Sequence, residues 1–352
     1  MSVKMTNERY SHIDLLKFAI ECFIRVGVPR DDARLIADHL VSASLRGVDS
    51  HGVLRIPDYI DGVERGYVKV NPRPRILKET PISALMDGDR GFGIPIAMKA
   101  VELAIAKARS SGMAIIGVKN LGHVGMLAYY TKKLVEENLL GFACANCAAM
   151  VAPWGGSERI LGTNPISIGI PVPGGNPIIV DMATSAIASA KVLIALKEGK
   201  ELQPNIALDR DGRPTRDPKA VLEEGTLLPF GGHKGYAISL VVEILSSALI
   251  GGPTSKEVPF HESTQGGFLL AALDPLIFRD KDEFEKDVLR VIDIVKNCRL
   301  REGFSEILIP GELEDREYEL RIRRGIPIDL ETVKSLKAVA EKLGVPFPNK
   351  IS

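Results

Sequence analysis

The chain has 352 residues, of which 45% are apolar, and 45 Lys plus Arg balance 45 Asp plus Glu. That length exceeds one average domain and leaves ample sequence for a buried core. A formal net charge of +0 gives no global field to hold nucleic acid or an anionic membrane, so polyanion binding is not expected. Met1 to Tyr10 is polar and lacks the basic start and apolar run of an export signal, which points to the cytoplasm. Four cysteines, Cys22, Cys144, Cys147 and Cys298, are too few for a disulfide scaffold of this size.

In chain order, Leu15, Leu16, Phe18, Ala19, Cys22, Phe23 and Val26 fall near helical spacing, and Gly27 with Pro29 stops the run. Asp31 and Asp32 open a second helix, whose apolar face Ala33, Ile36, Ala37, Leu40, Val41 runs toward Gly47. The stretch Val70-Asn71-Pro72-Arg73-Pro74-Arg75 reads as an extended connector and a candidate boundary. Beyond it, the apolar runs Ala84–Met86, Met113–Val118, Leu140–Ala143 and Ile178–Val180 predict buried strands. Helical spacing predicts helices over Pro95–Ser110 and Met126–Glu137, an alternation that argues for an α/β sheet. Later predictions are a helix over Tyr236–Ile250, a strand over Phe268–Leu273, a helix over Asp282–Asn297 and a strand over Glu306–Ile309. Asp329 can cap a last helix with Val333, Leu336, Val339, Ala340 and Leu343 on one face before Gly344. The run Gly235–Gly252 is interrupted by Glu243 and by serines, so it suits a buried helix better than a membrane span.

The segment Arg46-Gly47-Val48-Asp49-Ser50-His51-Gly52-Val53-Leu54-Arg55 leaves the second helix with an imidazole between two guanidinium groups. Arg stays charged and can grip a carboxylate with two parallel hydrogen bonds, while His exchanges protons near neutral pH. Taken alone, the segment reads more readily as a charged surface loop. A second histidine, in Asn120-Leu121-Gly122-His123-Val124-Gly125, follows a strongly apolar strand, where α/β proteins place ligand-binding groups. If His51 and His123 converge, one can exchange a hydroxyl proton while the other orients the substrate oxygen.

Three further segments can cradle an anion: Leu161-Gly162-Thr163-Asn164-Pro165; Asp181-Met182-Ala183-Thr184-Ser185, read as leaving a strand and opening a helical stretch to Lys191; and Gly231-Gly232-His233-Lys234-Gly235 at a helix start. Each alone is explained more readily by turn chemistry or helix capping. No G-x-G-x-x-G turn joins a strand to a helix, no G-x-x-x-x-G-K-[ST] occurs, and no G-x-S-x-G supports a serine hydrolase. Cys144-Ala145-Asn146-Cys147 has C-x-x-C spacing but no second pair, and no His pair has the spacing of a metal site, so no metal is expected.

The ordered set of segments resembles the second type of malate/L-lactate dehydrogenase family, which includes sulfolactate and ureidoglycolate dehydrogenases and related imine reductases. The resemblance rests on Arg46-Gly47 with Ser50-His51-Gly52 and Arg55, Asn120 with Gly122-His123, Pro153 with Gly155-Gly156, Leu161 to Pro165, Asp181 to Ser185, Gly231 to Tyr236, and Pro310-Gly311-Glu312. It implies a homodimeric, NAD- or NADP-dependent oxidoreductase with a non-Rossmann α/β fold. A helical lobe from both chain ends (1–78 and 313–352) would join an α/β lobe with a mixed sheet (79–312). It further implies a catalytic set of His123, His51 and Ser50 and substrate contacts from Arg55 and Asn120. Cofactor contacts would come from Cys147, Thr163, Asp181, Met182, Ala183, Lys234, Pro310, Gly311 and Glu312. Two departures bear on that reading: Asn146-Cys147 stands where relatives tend to carry Asn-Thr or Asn-Ser, and no cation precedes Lys191 after Ser185. The implied reaction is reversible oxidation of an (S)-2-hydroxy acid, malate or sulfolactate first. Reduction of a cyclic imino acid, ureidoglycolate oxidation, and a non-catalytic dinucleotide-binding dimer are the alternatives.

Overall fold

A computed structural model describes residues 8–197, 199–261 and 263–351; residues 1–7, part of the stretch read for an export signal, lie outside the described residues. Strand β1 (Glu8–Tyr10) leads into α1 (His12–Arg25) and α2 (Arg30–Leu45). In α1 the spaced apolar residues Leu15, Phe18, Ala19, Cys22 and Phe23 are buried, as their helical periodicity requires. After α2 the chain makes two short 3-10 turns, Asp49–His51 and Val53–Arg55, before α3 (Ile56–Glu64). The signature segment is thus one tight connection between two packed helices.

The middle of the chain supplies β2 (Arg75–Glu79), β3 (Ser83–Gly91), α4 (Gly93–Ser111), β4 (Met113–Leu121), α5 (Ala128–Glu136), β5 (Leu140–Ala145), β6 (Ile166–Ile170) and β7 (Ile178–Met182). There follow α6 (Ser189–Lys197), β8 (Ala207–Leu208), α7 (Pro218–Glu223), β9 (Thr226–Leu227), α8 (His233–Ser246), β10 (Gly267–Leu273), α9 (Lys281–Lys296), α10 (Glu312–Arg324), β11 (Ile326–Ile328) and α11 (Leu330–Leu343). Seven strands form one mixed sheet in the order β2-β3-β4-β10-β5-β6-β7. Only β3 and β4 run parallel, joined by the crossover helix α4; every other neighbouring pair is antiparallel.

The alanines of α4, at 97, 100, 104 and 108, let that helix lie close against Ile116, Val118, Phe268 and Leu270 on one face of the sheet. On another cluster, Val242 of α8 packs with Cys144, Ile166, Ile250 and Leu269. A separate apolar cluster gathers α1, α2 and α3 with residues Ile326, Ile328, Val333 and Leu336 from the far end of the chain, and β1 pairs with β11. As predicted, Asp329 caps α11, accepting from the Thr332 N–H, and Gly344 ends it.

Two local expectations are corrected. Glu306–Ile309 forms no strand: the Ile309 N–H turns to the Glu312 carboxylate at 3.0 Å, so that backbone is spent on starting α10. The stretch from Asp181 is not helical until Ser189, because Asp181 and Met182 complete β7, opposite Ser167 and Ile166 of β6. Strand β6 itself was not anticipated. Its five residues carry Ser167 and Gly169, which interrupt the apolar run that would have announced it.

Candidate active site

Gly52 allows the signature segment to fold back onto α2. A Cβ there would lie 2.1 Å from Ser44 Oγ, the oxygen that accepts the Val53 N–H at 3.0 Å. The fold-back brings Ser50, His51 and Arg55 together. Ser50 Oγ is 2.9 Å from His51 Nδ1, and Arg55 Nε donates to the Ser50 carbonyl at 2.7 Å. Arg55 is buried, with Nη1 3.1 Å from Asp58 Oδ2.

His123 arrives from the sheet. It lies just beyond β4, where the Gly122 N–H donates to Gly91 O at 2.8 Å and the His123 N–H to Ser263 O at 2.9 Å. Gly93 makes that approach possible, since a Cβ there would sit 2.0 Å from Gly122 O and 2.5 Å from His123 O. The Tyr59 hydroxyl, from α3, is 2.8 Å from His123 Nδ1. The two imidazoles stack, with centroids 5.5 Å apart and planes inclined by 24°. Among the described residues neither Nε2 has a hydrogen-bond partner.

Both rings are only partly exposed, and desolvation disfavours their cations. Burial, then the charge of Arg55, pushes His51 down to about 3. Burial, then His51 and Arg55, holds His123 well below the ordinary value. Both are therefore neutral at neutral pH and able to accept a proton. His39, wholly buried on α2, is lowered to about 4, chiefly by burial. Its Nε2 accepts from the Met126 N–H at 3.0 Å, which pins the loop after His123.

Ser50, His51, Arg55 and His123 line a cavity of ≈ 810 Å³, within the range of small-molecule and cofactor sites. Of the residues singled out from sequence, Ser50, His51, Arg55, His123, Cys147, Thr163, Asp181, Met182, Ala183, Pro310 and Gly311 line it. The Cys147 thiol is 3.4 Å from Thr163 Oγ1 and is pushed up by burial. Asp181 is open to the cavity yet closely flanked by protein. Its Oδ2 accepts from the Ala128 N–H at the start of α5 at 2.7 Å. Burial, with Glu314 adding, pushes its carboxyl up to about 7 against that N–H and Arg46. Pro310 O accepts from the Ile179 N–H at 3.0 Å, which sets the loop before α10 along the β7 edge.

Three of the singled-out residues do not line the cavity. Asn120 turns its Nδ2 to Asp87 Oδ1 at 2.9 Å. Glu312 holds Ile309 N and Lys296 Nζ, and Lys234 is exposed in the first turn of α8. Conversely, Tyr59 and His39 were not anticipated. Tyr59 follows Arg55 by four residues, a helical spacing that links it to the signature, whereas nothing local marks His39. Among the described residues no group of three or more His, Cys, Asp or Glu gathers to hold a metal, and Cys144 and Cys147 are free thiols.

A buried guanidinium beside two neutral imidazoles in one cavity is equipment for moving a proton to or from a small organic acid. The family model for malate/L-lactate dehydrogenase matches residues 10–337, and the chain belongs to that family. It is accordingly an oxidoreductase acting on a CH–OH group. The L-sulfolactate dehydrogenase of Methanocaldococcus jannaschii is 39% identical over 356 residues, covering 100% of both chains. The malate dehydrogenase of Pyrococcus abyssi is 38% identical over 351 residues, 96% of this chain and 97% of that one. The solved malate dehydrogenase of Pyrococcus horikoshii OT3 superposes with a TM-score of 0.89 at 36% identity, covering 97% of each chain. A cyclic imino-acid reductase of Pseudomonas putida is more distant, at 35% identity over 320 residues.

Proposed function

We propose that the chain reversibly oxidises a small (S)-2-hydroxy acid to its 2-oxo acid with NAD or NADP, with malate and sulfolactate as the first substrates to consider. The observation that carries this reading is the stacked His51–His123 pair in the same cavity as Arg55. Arg55 grips the substrate carboxylate, and a neutral imidazole Nε2 takes the hydroxyl proton. When bound, NAD or NADP would supply the acceptor for the hydride that leaves the substrate carbon. The acid anion also offsets the field of Arg55, one cause of the depressed imidazole pKa values, so substrate binding strengthens its own base.

In this reading Cys147, Thr163, Asp181, Met182, Ala183, Pro310 and Gly311 form the dinucleotide wall. The cavity size and the mixture of backbone, hydroxyl and apolar lining fit such a group. Glu312 serves by fixing the Ile309–Gly311 turn, and Asn120 and Lys234 are given no contact. The mostly antiparallel sheet supports a non-Rossmann fold, since dinucleotide folds of that kind are built on parallel strands. The cluster shared by both chain ends supports a helical lobe of residues 1–78 and 313–352 beside an α/β lobe of 79–312. The exposed apolar side chains Leu240, Val241 and Ile244 on α8 and Leu193 and Ile194 on α6 support a homodimer that covers them, and light scattering measures it. Four free thiols support the cytoplasm.

Following NADH and NADPH loss with oxaloacetate, sulfopyruvate, pyruvate and a cyclic imino acid tests the reaction and reports cofactor preference. Oxaloacetate or sulfopyruvate should turn over fastest, whereas no turnover with any of the four sinks the proposal. Arg55→Lys should raise the KM for the acid, because Lys lacks the planar fork; an unchanged KM removes Arg55 from the grip.

A further inference from the structure

The signature segment is held from outside by the opposite end of the chain. Arg321, buried near the end of α10, places Nη1 2.5 Å from Asp49 Oδ1 and Nη2 3.1 Å from Asp49 Oδ2. The same Nη1 donates to Ser44 O at 2.6 Å, and Nε donates to Glu317 at 2.5 Å. One guanidinium therefore ties the last turn of α2 to the first residue of the 3-10 turn that carries His51. Asp49 also anchors that turn through its backbone, accepting the Gly52 N–H at 3.0 Å. Ser50, next along, presents its hydroxyl to His51 and its carbonyl to Arg55.

We propose that Arg321 and Asp49 are positioning residues, a clamp that aims His51 and Arg55 into the cavity without either clamp residue lining it. The geometry separates the clamp from ordinary surface ion pairing. A bidentate fork fixes both direction and distance, and Arg321 meets a backbone carbonyl as well as a carboxylate. Glu317, the second carboxylate on Arg321, also stands over Gly47, whose Cβ would lie 3.0 Å from Glu317 Cγ. Among the described residues no cavity-lining residue bonds Arg321, so removing the fork changes the aim of the site and not its contents.

The inference rests on the dehydrogenase reading for its kinetic arm and on a titration for its other arm. In the full-length protein, Arg321→Met should lower kcat by about 10²-fold, as a misplaced reacting group does, while NADH affinity read by its fluorescence stays unchanged. Arg321→Lys should recover part of the loss, since it keeps the charge but not the fork. Asp49→Asn, which leaves the Ser44 and Glu317 contacts of Arg321 in place, should lower kcat in the same direction, and the double variant should be no worse than Arg321→Met, because the Asp49 fork is already gone there. Without the clamp, the His51 imidazole resonance should titrate closer to an ordinary histidine, as the ring gains solvent and moves off Arg55 and His39. A folded Arg321→Met protein with native kcat and native His51 titration overturns the clamp, as do single effects that add. If Arg321→Met fails to fold, Asp49→Asn at the part-exposed partner gives the same reading. Absence of turnover in the unsubstituted protein would end the dehydrogenase reading, and the His51 titration would still decide the clamp.

Discussion

The two histidines of the site are held in opposite ways. His51 rides on a short 3-10 turn fixed by side chains: Ser44 Oγ on Val53 N, Arg55 on Ser50 O, and Arg321 on Asp49. His123 extends from a central strand and is fixed by backbone, through Gly91 O and Ser263 O, with His39 bracing the loop beyond it. A side-chain scaffold depends on each charge and rotamer being in place, whereas the end of a central strand inherits the rigidity of its ladder. A site built from one arm of each kind assembles only when the tertiary fold is complete.

The largest effect expected is on the imidazoles themselves. His51→Ala and His123→Ala should each be made, and loss of the general base should lower kcat by about 10²–10⁴-fold. The variant with the greater loss, together with disappearance of the acidic limb in its pH profile, identifies the proton acceptor. Equal and small losses would break the paired reading.

Acid should act next, mainly on the His123 arm. The folded pKa values of His39, His51 and His123 lie below the unfolded value of about 6.5, so the unfolded chain binds more protons in between. Stability from this source is full above about pH 6.5 and is lost as pH falls toward the folded values, about 4 for His39 and about 3 for His51. For His39, wholly buried, the loss amounts to roughly 3 kcal/mol. Asp181 has the reverse sign: its raised carboxyl contributes stability below its unfolded value that is lost as pH rises through about 7. Urea unfolding between pH 7 and 4 should show the decline, and His39→Gln should flatten it; an unchanged slope removes His39 from the acid response.

Steric substitution should be smaller and should separate the arms. Gly93→Ala drives a Cβ into the backbone of Gly122 and His123, which cannot rotate away, so a cost of about 1–3 kcal/mol is expected. Thermal unfolding measures it, and a native melting temperature would show that the approach of α4 to His123 is looser than the geometry implies.

Local structure was largely legible. Helices α1, α2, α4, α5, α9 and α11 follow from spaced apolar residues, and β4, β5, β7 and β10 from apolar runs, because burial imposes those periods on the sequence itself. The candidate site was legible where its residues sit in short chemically odd segments: His51 with Arg55, His123 between glycines, Asp181 at the end of an apolar strand. It was not legible at Tyr59, His39 or Arg321. An amphipathic helix full of charges gives no sign which arginine turns inward, and Arg321 meets Asp49 across 272 residues of chain.

The sequence by itself determined most of the element types and the family signature, both of which depend on neighbours within a few residues. Only the tertiary structure decided that β10, late in the chain, inserts between β4 and β5, that Asn120 turns to Asp87 instead of the cavity, and that α10 grips the His51 turn. These outcomes depend on which surfaces can be buried together, and on desolvated charges finding partners wherever the fold brings them. No local pattern records that choice.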